Sequence, residues 1–182
     1  MDNKKPAMDI LGVPVTPFSM GEAVAWLMDR VDRELPTQVV TANAEIIMMA
    51  QKLPAYKALL EKTDLVLADG AGTVWARRTL GHQEPERVAG FDLILELLRE
   101  GAQRGTKFFL FGAAPGIAEA AAQKAAEIAP GVQIVGTRNG YFTQADEPEI
   151  IRQINGSGAQ VLFAALGAPK QEFWLEEHRD AL

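Results

Sequence analysis

The sequence predicts an α/β fold built on a mainly parallel sheet with helices on both faces. Three observations carry that expectation. Short apolar runs alternate with longer segments of helical periodicity, most regularly in the second half of the chain. Several of those runs are apolar throughout instead of alternating with polar residues, as strands covered on both faces are. The turns that follow them, TANAE, ADGAG, FGAAPG, GTRNGYF and ALGAPKQE, are glycine-rich or polar. Right-handed crossovers collect such turns along one sheet edge, which is where open α/β folds bind ligands.

The elements follow in order. MDILGVPVT, residues 8–16, reads as a short strand pair broken at Gly12 and Pro14. Ser19 with Glu22 three residues later forms a capping box, so SMGEAVAWLMDRVDREL begins a helix there. Its apolar positions Ala23, Trp26, Leu27 and Val31 recur at helical spacing. QVVTANAE is a strand whose Thr41, Asn43 and Glu45 share one face if it stays extended. IIMMAQKL is helical, and Pro54 opens a separate helix, PAYKALLEK. LVLAD is the next strand, AGTVWARRTL a helix, and GHQEPERVAG, residues 81–90, a loop. The second half reads as helix FDLILELLREGAQR, strand KFFLFG, helix PGIAEAAAQKAAEIA, strand VQIVG, helix EPEIIRQING, strand AQVLFAAL and helix PKQEFWLEEHRD. With no repeat and no linker, residues 8–182 are expected to form one domain behind a disordered 1–7.

Composition removes several kinds of function. A formal charge of −6 provides no general attraction for nucleic acid, and no nucleic-acid partner is expected. The absence of cysteine excludes disulfides, thiolate nucleophiles and thiolate metal ligands. His82 and His178 are far apart without ligand-spaced partners, so no metal site is expected; His178, on a charged helix, is expected at the surface. No run reaches the roughly 20 apolar residues of a membrane span. MDNKKPAMDILGVPV lacks the apolar core of a signal peptide, so contact with a membrane is expected only through the surface. Trp26, Trp75 and Trp174 fall at helical positions and read as packing residues.

What remains for chemistry is a set of carboxylate, amide, hydroxyl and cationic groups at the predicted ligand edge. Asp69 follows four apolar residues and precedes Gly70 and Gly72. It either caps a helix or, in a partly dry cleft, acts as a general base on a hydroxyl. Thr41 and Asn43 suit recognition of sugar hydroxyls or a base, and Asn43 equally suits an N-cap. Arg87 suits an anion ligand, because a guanidinium matches phosphate geometry, or is a solvated loop arginine, while Asp92 suits the first turn of the helix after it. In FGAAPG, Gly112, Ala113 and Gly116 make either a tight turn or a phosphate cradle, with Pro115 in the first helical turn. Lys170 and Gln171 sit in the first turn of a helix, at its positive end, where lysine is unfavourable unless an anion is near.

TANAEI, LVLADGAGTVWA, ERVAGFDL, FLFGAAPG, NGYF and ALGAPKQEFW, in this order, resemble the WecG/TagA/CpsF glycosyltransferases, and the TagA-type N-acetylmannosaminyltransferases in particular. DILGVPV followed by the EAV helix fits the same pattern, so the resemblance runs from Met8 to Leu182. It implies a Rossmann-like fold and an inverting transfer of N-acetylmannosamine from its UDP donor. The acceptor would be the C4 hydroxyl of N-acetylglucosamine on undecaprenyl diphosphate, giving the β-1,4 disaccharide of the wall teichoic acid linkage unit. Asp69 matches the family's catalytic aspartate, Thr41 and Asn43 match pocket residues, Arg87 would contact the pocket or diphosphate, and Gln171 would hold substrate. The resemblance implies no metal and no cofactor beyond the UDP-sugar.

Family members continue past the KQE helix into a glycine-rich strand segment and an arginine-rich appendage that engages the membrane. This sequence stops at HRDAL. We therefore expect a cytoplasmic enzyme, peripheral on the inner membrane face when full length, and weak activity without that appendage. Self-association is compatible with the sequence. The alternatives are a WecG-type transferase of N-acetylmannosaminuronic acid, another UDP-hexose transferase of the family, or a nucleotide-binding regulatory module without catalysis.

Overall fold

Local signals in the sequence set the helix starts, and long-range pairing of apolar strands assembles them. A computed structural model describes residues 4–70 and 87–182. The chain divides into two compact units, Met1–Ile94 and Leu95–Leu182. Both are α/β, with parallel strands flanked by helices, and the antiparallel pair stands at the N-terminus.

In the N-terminal unit β1 (Met8–Ile10) turns at Leu11 and Gly12 into β2 (Val13–Val15). Both turn residues have positive φ, 54° and 82°, which glycine accepts freely and leucine only under constraint. Ser19 then caps α1 (Met20–Asp32): its N–H reaches Glu22 Oε2 at 2.8 Å and its Oγ receives the Glu22 N–H at 3.3 Å, the reciprocal pair of a capping box. Trp26 is buried against Phe18, and the Arg30 guanidinium stacks 5.1 Å from its ring. β3 (Val39–Ala42) pairs in parallel with β4 (Leu65–Ala68), Ala42 opposite Ala68. Thr16 donates its N–H to Val66 O at 2.7 Å and so ties the end of β2 to β4. All four β4 residues are buried, as the unbroken apolar run LVLA requires.

Between those strands run α2 (Ala44–Lys52) and α3 (Pro54–Lys62), and α3 does open on Pro54. One expectation fails here. The strand through Thr41 ends at Ala42, because the Asn43 side chain captures the Ile46 N–H at 2.9 Å and starts α2. Glu45 is therefore an exposed residue of a helical first turn and does not share a strand face with Thr41. The helix expected over AGTVWARRTL, Trp75, His82 and most of the 81–90 loop lie outside the described residues.

α4 (Gly90–Arg104) follows, with Asp92 in its first turn. In the C-terminal unit β5 (Lys107–Gly112) is the central strand of the order β6-β5-β7, all parallel, with β6 at Gln133–Arg138 and β7 at Val161–Ala165. The connections are α5 (Ile117–Ile128) and α6 (Glu147–Gly156), and α7 (Lys170–Glu177) follows β7. Phe111, Trp174 and Phe142 form an aromatic core, with the Phe111 and Trp174 rings 4.8 Å apart. His178 corrects a second expectation: it is not at the surface. Its ring packs edge-on against Trp174 at 4.7 Å and Nε2 lies 3.3 Å from Glu147, leaving the side chain 14% exposed.

Candidate active site

The site in the N-terminal unit is built from the ends of two paired strands. Parallel register sets Thr41 opposite Leu67 and Ala42 opposite Ala68. The ladder runs one residue further, since Asp69 donates its N–H to Ala42 O at 3.0 Å. Asp69 thus leaves the sheet beside Asn43, on the edge the topology reserves for ligands. Gly70, at φ 90°, lies against Asn43: a Cβ placed there would stand 3.9 Å from the Asn43 Cβ.

The chain returns to the same point after residue 86. Val88 donates its N–H to Ala68 O at 3.1 Å and is fully buried with Ala89. That bond carries Gly90, the first residue of α4, to the carboxylate, and its N–H donates to Asp69 Oδ2 at 3.1 Å. The first N–H groups of a helix have no partner within it, and the positive helix end favours a carboxylate. Arg87 brings Nε to 3.7 Å from Oδ1 on the other side, with its own side chain 60% exposed. At that exposure the pair contributes about 0–1 kcal/mol, so it holds Asp69 less firmly than the helix does.

Thr41, Asn43, Asp69 and Arg87 are therefore gathered in one neighbourhood. Asp69 does meet a helix start, but the helix lies 21 residues downstream. Asn43 is a cap through its carbonyl oxygen, and the side chain stays half-buried beside Gly70. Gly90, which sequence reasoning passed over, proves central. The signal for it was its place in ERVAGFDL just before a helical pattern, and nothing local says what it touches.

The other candidates lie in the C-terminal unit. Gly112, at φ 130°, runs so close to β7 that a Cβ would meet Ala165 O at 2.3 Å. Ala113, at φ 58°, donates its N–H to Ala165 O at 2.8 Å and accepts from Gly140 at 2.9 Å. That N–H is spent on the fold and does not face a ligand. The α5 start is also later than expected: Pro115 stays in the turn, and Gly116, left-handed at φ 86°, is the N-cap before Ile117. A Cβ on Gly116 would meet nothing within 4 Å, so its surroundings are open.

Lys170 and Gln171 do begin α7, yet they do different work. Gln171 braces its own turn, accepting the Gly167 N–H at 3.1 Å and donating to the buried Glu172 at 2.9 Å. Lys170 faces an open cleft of about 680 Å³ lined also by Ala113, Gly140, Tyr141, Phe142 and Asp146. Its ammonium lies 4.5 Å from the Phe142 ring, a cation–π contact. Tyr141, 70% exposed, was not singled out from the sequence. The Thr143 backbone N–H and then its hydroxyl, each at 2.8 Å, hold the Asp146 carboxyl below its ordinary pKa of 3.8, so the cleft keeps one anion in place. Among the described residues no three His, Asp or Glu side chains are grouped to hold a metal ion.

With this geometry in hand, comparison with known proteins identifies the relationship. The profile of the Glycosyl transferase WecG/TagA/CpsF family matches residues 8–182. The chain belongs to that family of glycosyltransferases. A curated relative in Bacillus spizizenii (strain ATCC 23059 / NRRL B-14472 / W23) is 35% identical over 141 residues, 78% of this chain. That protein is the N-acetylglucosaminyldiphosphoundecaprenol N-acetyl-beta-D-mannosaminyltransferase. The alignment covers 54% of it, so the chain spans about half the length of the curated relative it matches. No helix among the described residues is long and apolar enough to cross a membrane.

Proposed function

We propose that this glycosyltransferase moves N-acetylmannosamine from UDP-N-acetylmannosamine to the C4 hydroxyl of N-acetylglucosamine on undecaprenyl diphosphate. The transfer inverts the anomeric centre and forms a β-1,4 linkage of a teichoic acid linkage unit. The observation that carries the chemistry is the Asp69 carboxylate at the ligand edge of β4, oriented by the Gly90 N–H at 3.1 Å. The named activity of the 35% identical relative supports the choice of sugars.

In this reading Asp69 takes the proton from the acceptor hydroxyl as its oxygen bonds to the donor's anomeric carbon. The bond from that carbon to the diphosphate breaks, and its electron pair leaves with UDP. A carboxylate positioned in this way contributes about 10²–10⁴-fold as a general base. Thr41 and Asn43 present a hydroxyl and an amide to sugar groups, and Arg87 meets anionic charge. Lys170, in the cleft lined by Ala113 and Ala114, serves the anionic part of a nucleotide sugar. Gln171 acts by shaping the turn before α7. No metal is assigned a role: the growing charge on the leaving diphosphate is met by cations. The enzyme would work at a membrane surface, where its lipid acceptor resides.

A turnover assay across UDP-sugars with a polyprenyl-diphosphate N-acetylglucosamine acceptor tests the donor. UDP-N-acetylmannosamine should be the preferred substrate. Preference for the uronic acid form would instead indicate the WecG-type reaction.

A further inference from the structure

We propose that Gly90 is a positioning residue for this transfer: it delivers the N–H that orients the Asp69 carboxylate. Only a residue without a side chain lets α4 begin close enough to Thr41 to do so. The proposal rests on Asp69 being the base, and it assigns a role to a residue that touches no substrate.

The geometry leaves little slack on either side of the bond. Asp69 is pinned by its own N–H to Ala42 O at 3.0 Å, and the returning chain by the Val88 N–H to Ala68 O at 3.1 Å. Val88 and Ala89, 0% and 5% exposed, anchor that return in the core. Gly90 then reaches Oδ2 at 3.1 Å, while Oδ1 is the oxygen that Arg87 approaches. A Cβ at Gly90 would stand 2.7 Å from Thr41 Oγ1, but 3.5 Å from Thr41 Cβ and 3.6 Å from Cγ2. The hydroxyl alone is in the way. Backbone conformation does not demand glycine here, because Gly90 is not among the glycines with positive φ. Helix propensity favours alanine over glycine. Close approach to Thr41 is what the glycine provides, and the same approach sets the N–H on the carboxylate.

An added methyl must displace either the start of α4 or the Thr41 hydroxyl, and each moves a group of the site. A displacement of about 1 Å is enough to lower the chemical step roughly 100-fold without changing substrate affinity.

The test measures kcat and donor KM, with thermal stability, for the parent chain and for Asp69→Asn, Gly90→Ala, Thr41→Ala and the Gly90→Ala/Thr41→Ala double variant. The substrates are UDP-N-acetylmannosamine and a short polyprenyl-diphosphate N-acetylglucosamine. Gly90→Ala should lose about 100-fold in kcat with donor KM unchanged. The double variant should match Thr41→Ala alone, because the Cβ fits once the hydroxyl is gone. A kcat loss at unchanged donor KM and unchanged melting, relieved when the hydroxyl is removed, is a split that a merely structural glycine would not show. Parental kcat in Gly90→Ala, or two independent losses multiplying in the double variant, would overturn the proposal. Should Gly90→Ala fail to fold, the double variant against Thr41→Ala decides alone: equal kcat supports the role and a further loss overturns it. Parental turnover in Asp69→Asn would overturn the underlying reading and the positioning role with it.

Discussion

The neighbourhood of Asp69 and the cleft beside Lys170 use strand ends in opposite ways. Around Asp69, backbone bonds from Asp69 to Ala42 and from Val88 to Ala68 hold a carboxylate against a helix N–H at 3.1 Å. Around Lys170 the backbone closeness is spent on the sheet, with Gly112 against Ala165 and the Ala113 N–H on Ala165 O, and the side chains face an open volume of about 680 Å³. The first arrangement fixes one group tightly, which suits a chemical step. The second offers room, an exposed cation and an exposed aromatic ring, which suits binding. Gly90 and Gly112 are both places where a Cβ cannot fit, but one lies against the Asp69 carboxylate and Thr41 and the other against the β7 backbone.

That contrast can be broken most forcefully at Gly112. Gly112→Ala places a methyl into the Ala165 backbone at a positive φ and should cost about 3 kcal/mol through strain and overpacking. Thermal melting should fall by roughly 6–12 °C; an unchanged melt would mean that β5 and β7 are not held this closely. Next in size are the two cations. Arg87→Ala should lower kcat/KM about tenfold, while Lys170→Ala should weaken donor binding about tenfold, as loss of one hydrogen bond to a charged group does. Calorimetry with UDP-N-acetylmannosamine separates them, and equal behaviour would erase the distinction between the regions. Tyr141→Ala sharpens it: with the ring 70% exposed, melting should not move, and only donor affinity should fall.

Smaller effects come from the capping boxes. Ser19→Ala should cost about 1 kcal/mol in unfolding experiments. Its partner Glu22 gives a pH test. The Lys5 ammonium, 2.5 Å away, and then the Ser19 N–H lower its pKa from 4.5 to about 2. A lowered carboxyl stabilises the fold above its ordinary value, and that contribution is lost as pH falls from about 4.5 to about 2. Glu22→Gln should flatten the melting curve over that window, and salt should weaken the effect because the pair is exposed.

Much of the frame was legible because its signals are local. Ser19 with Glu22, Pro54 at a helix start and the apolar run at Leu65–Ala68 each announce themselves within a few residues. Asn43 marks the limit of this kind of reading: its cap was foreseen as one option, and the same cap removed Glu45 from the strand face. Pro115 misled because a left-handed Gly116 postpones the α5 start. His178 looked like a surface residue on a charged helix until Trp174 and Glu147 closed around it. Gly90 was invisible for a different reason. Its meaning lies in contacts with Thr41 and Asp69, and no local pattern reports a pairing across 21 residues or more.

The most direct test of the central claim is single-turnover transfer by Asp69→Asn beside calorimetric donor binding. Asparagine keeps the shape and can still accept the Gly90 N–H, but it cannot take a proton. Donor affinity should stay near that of the parent while the chemical step slows by about 10²–10⁴-fold. Transfer at the parental rate would contradict the account.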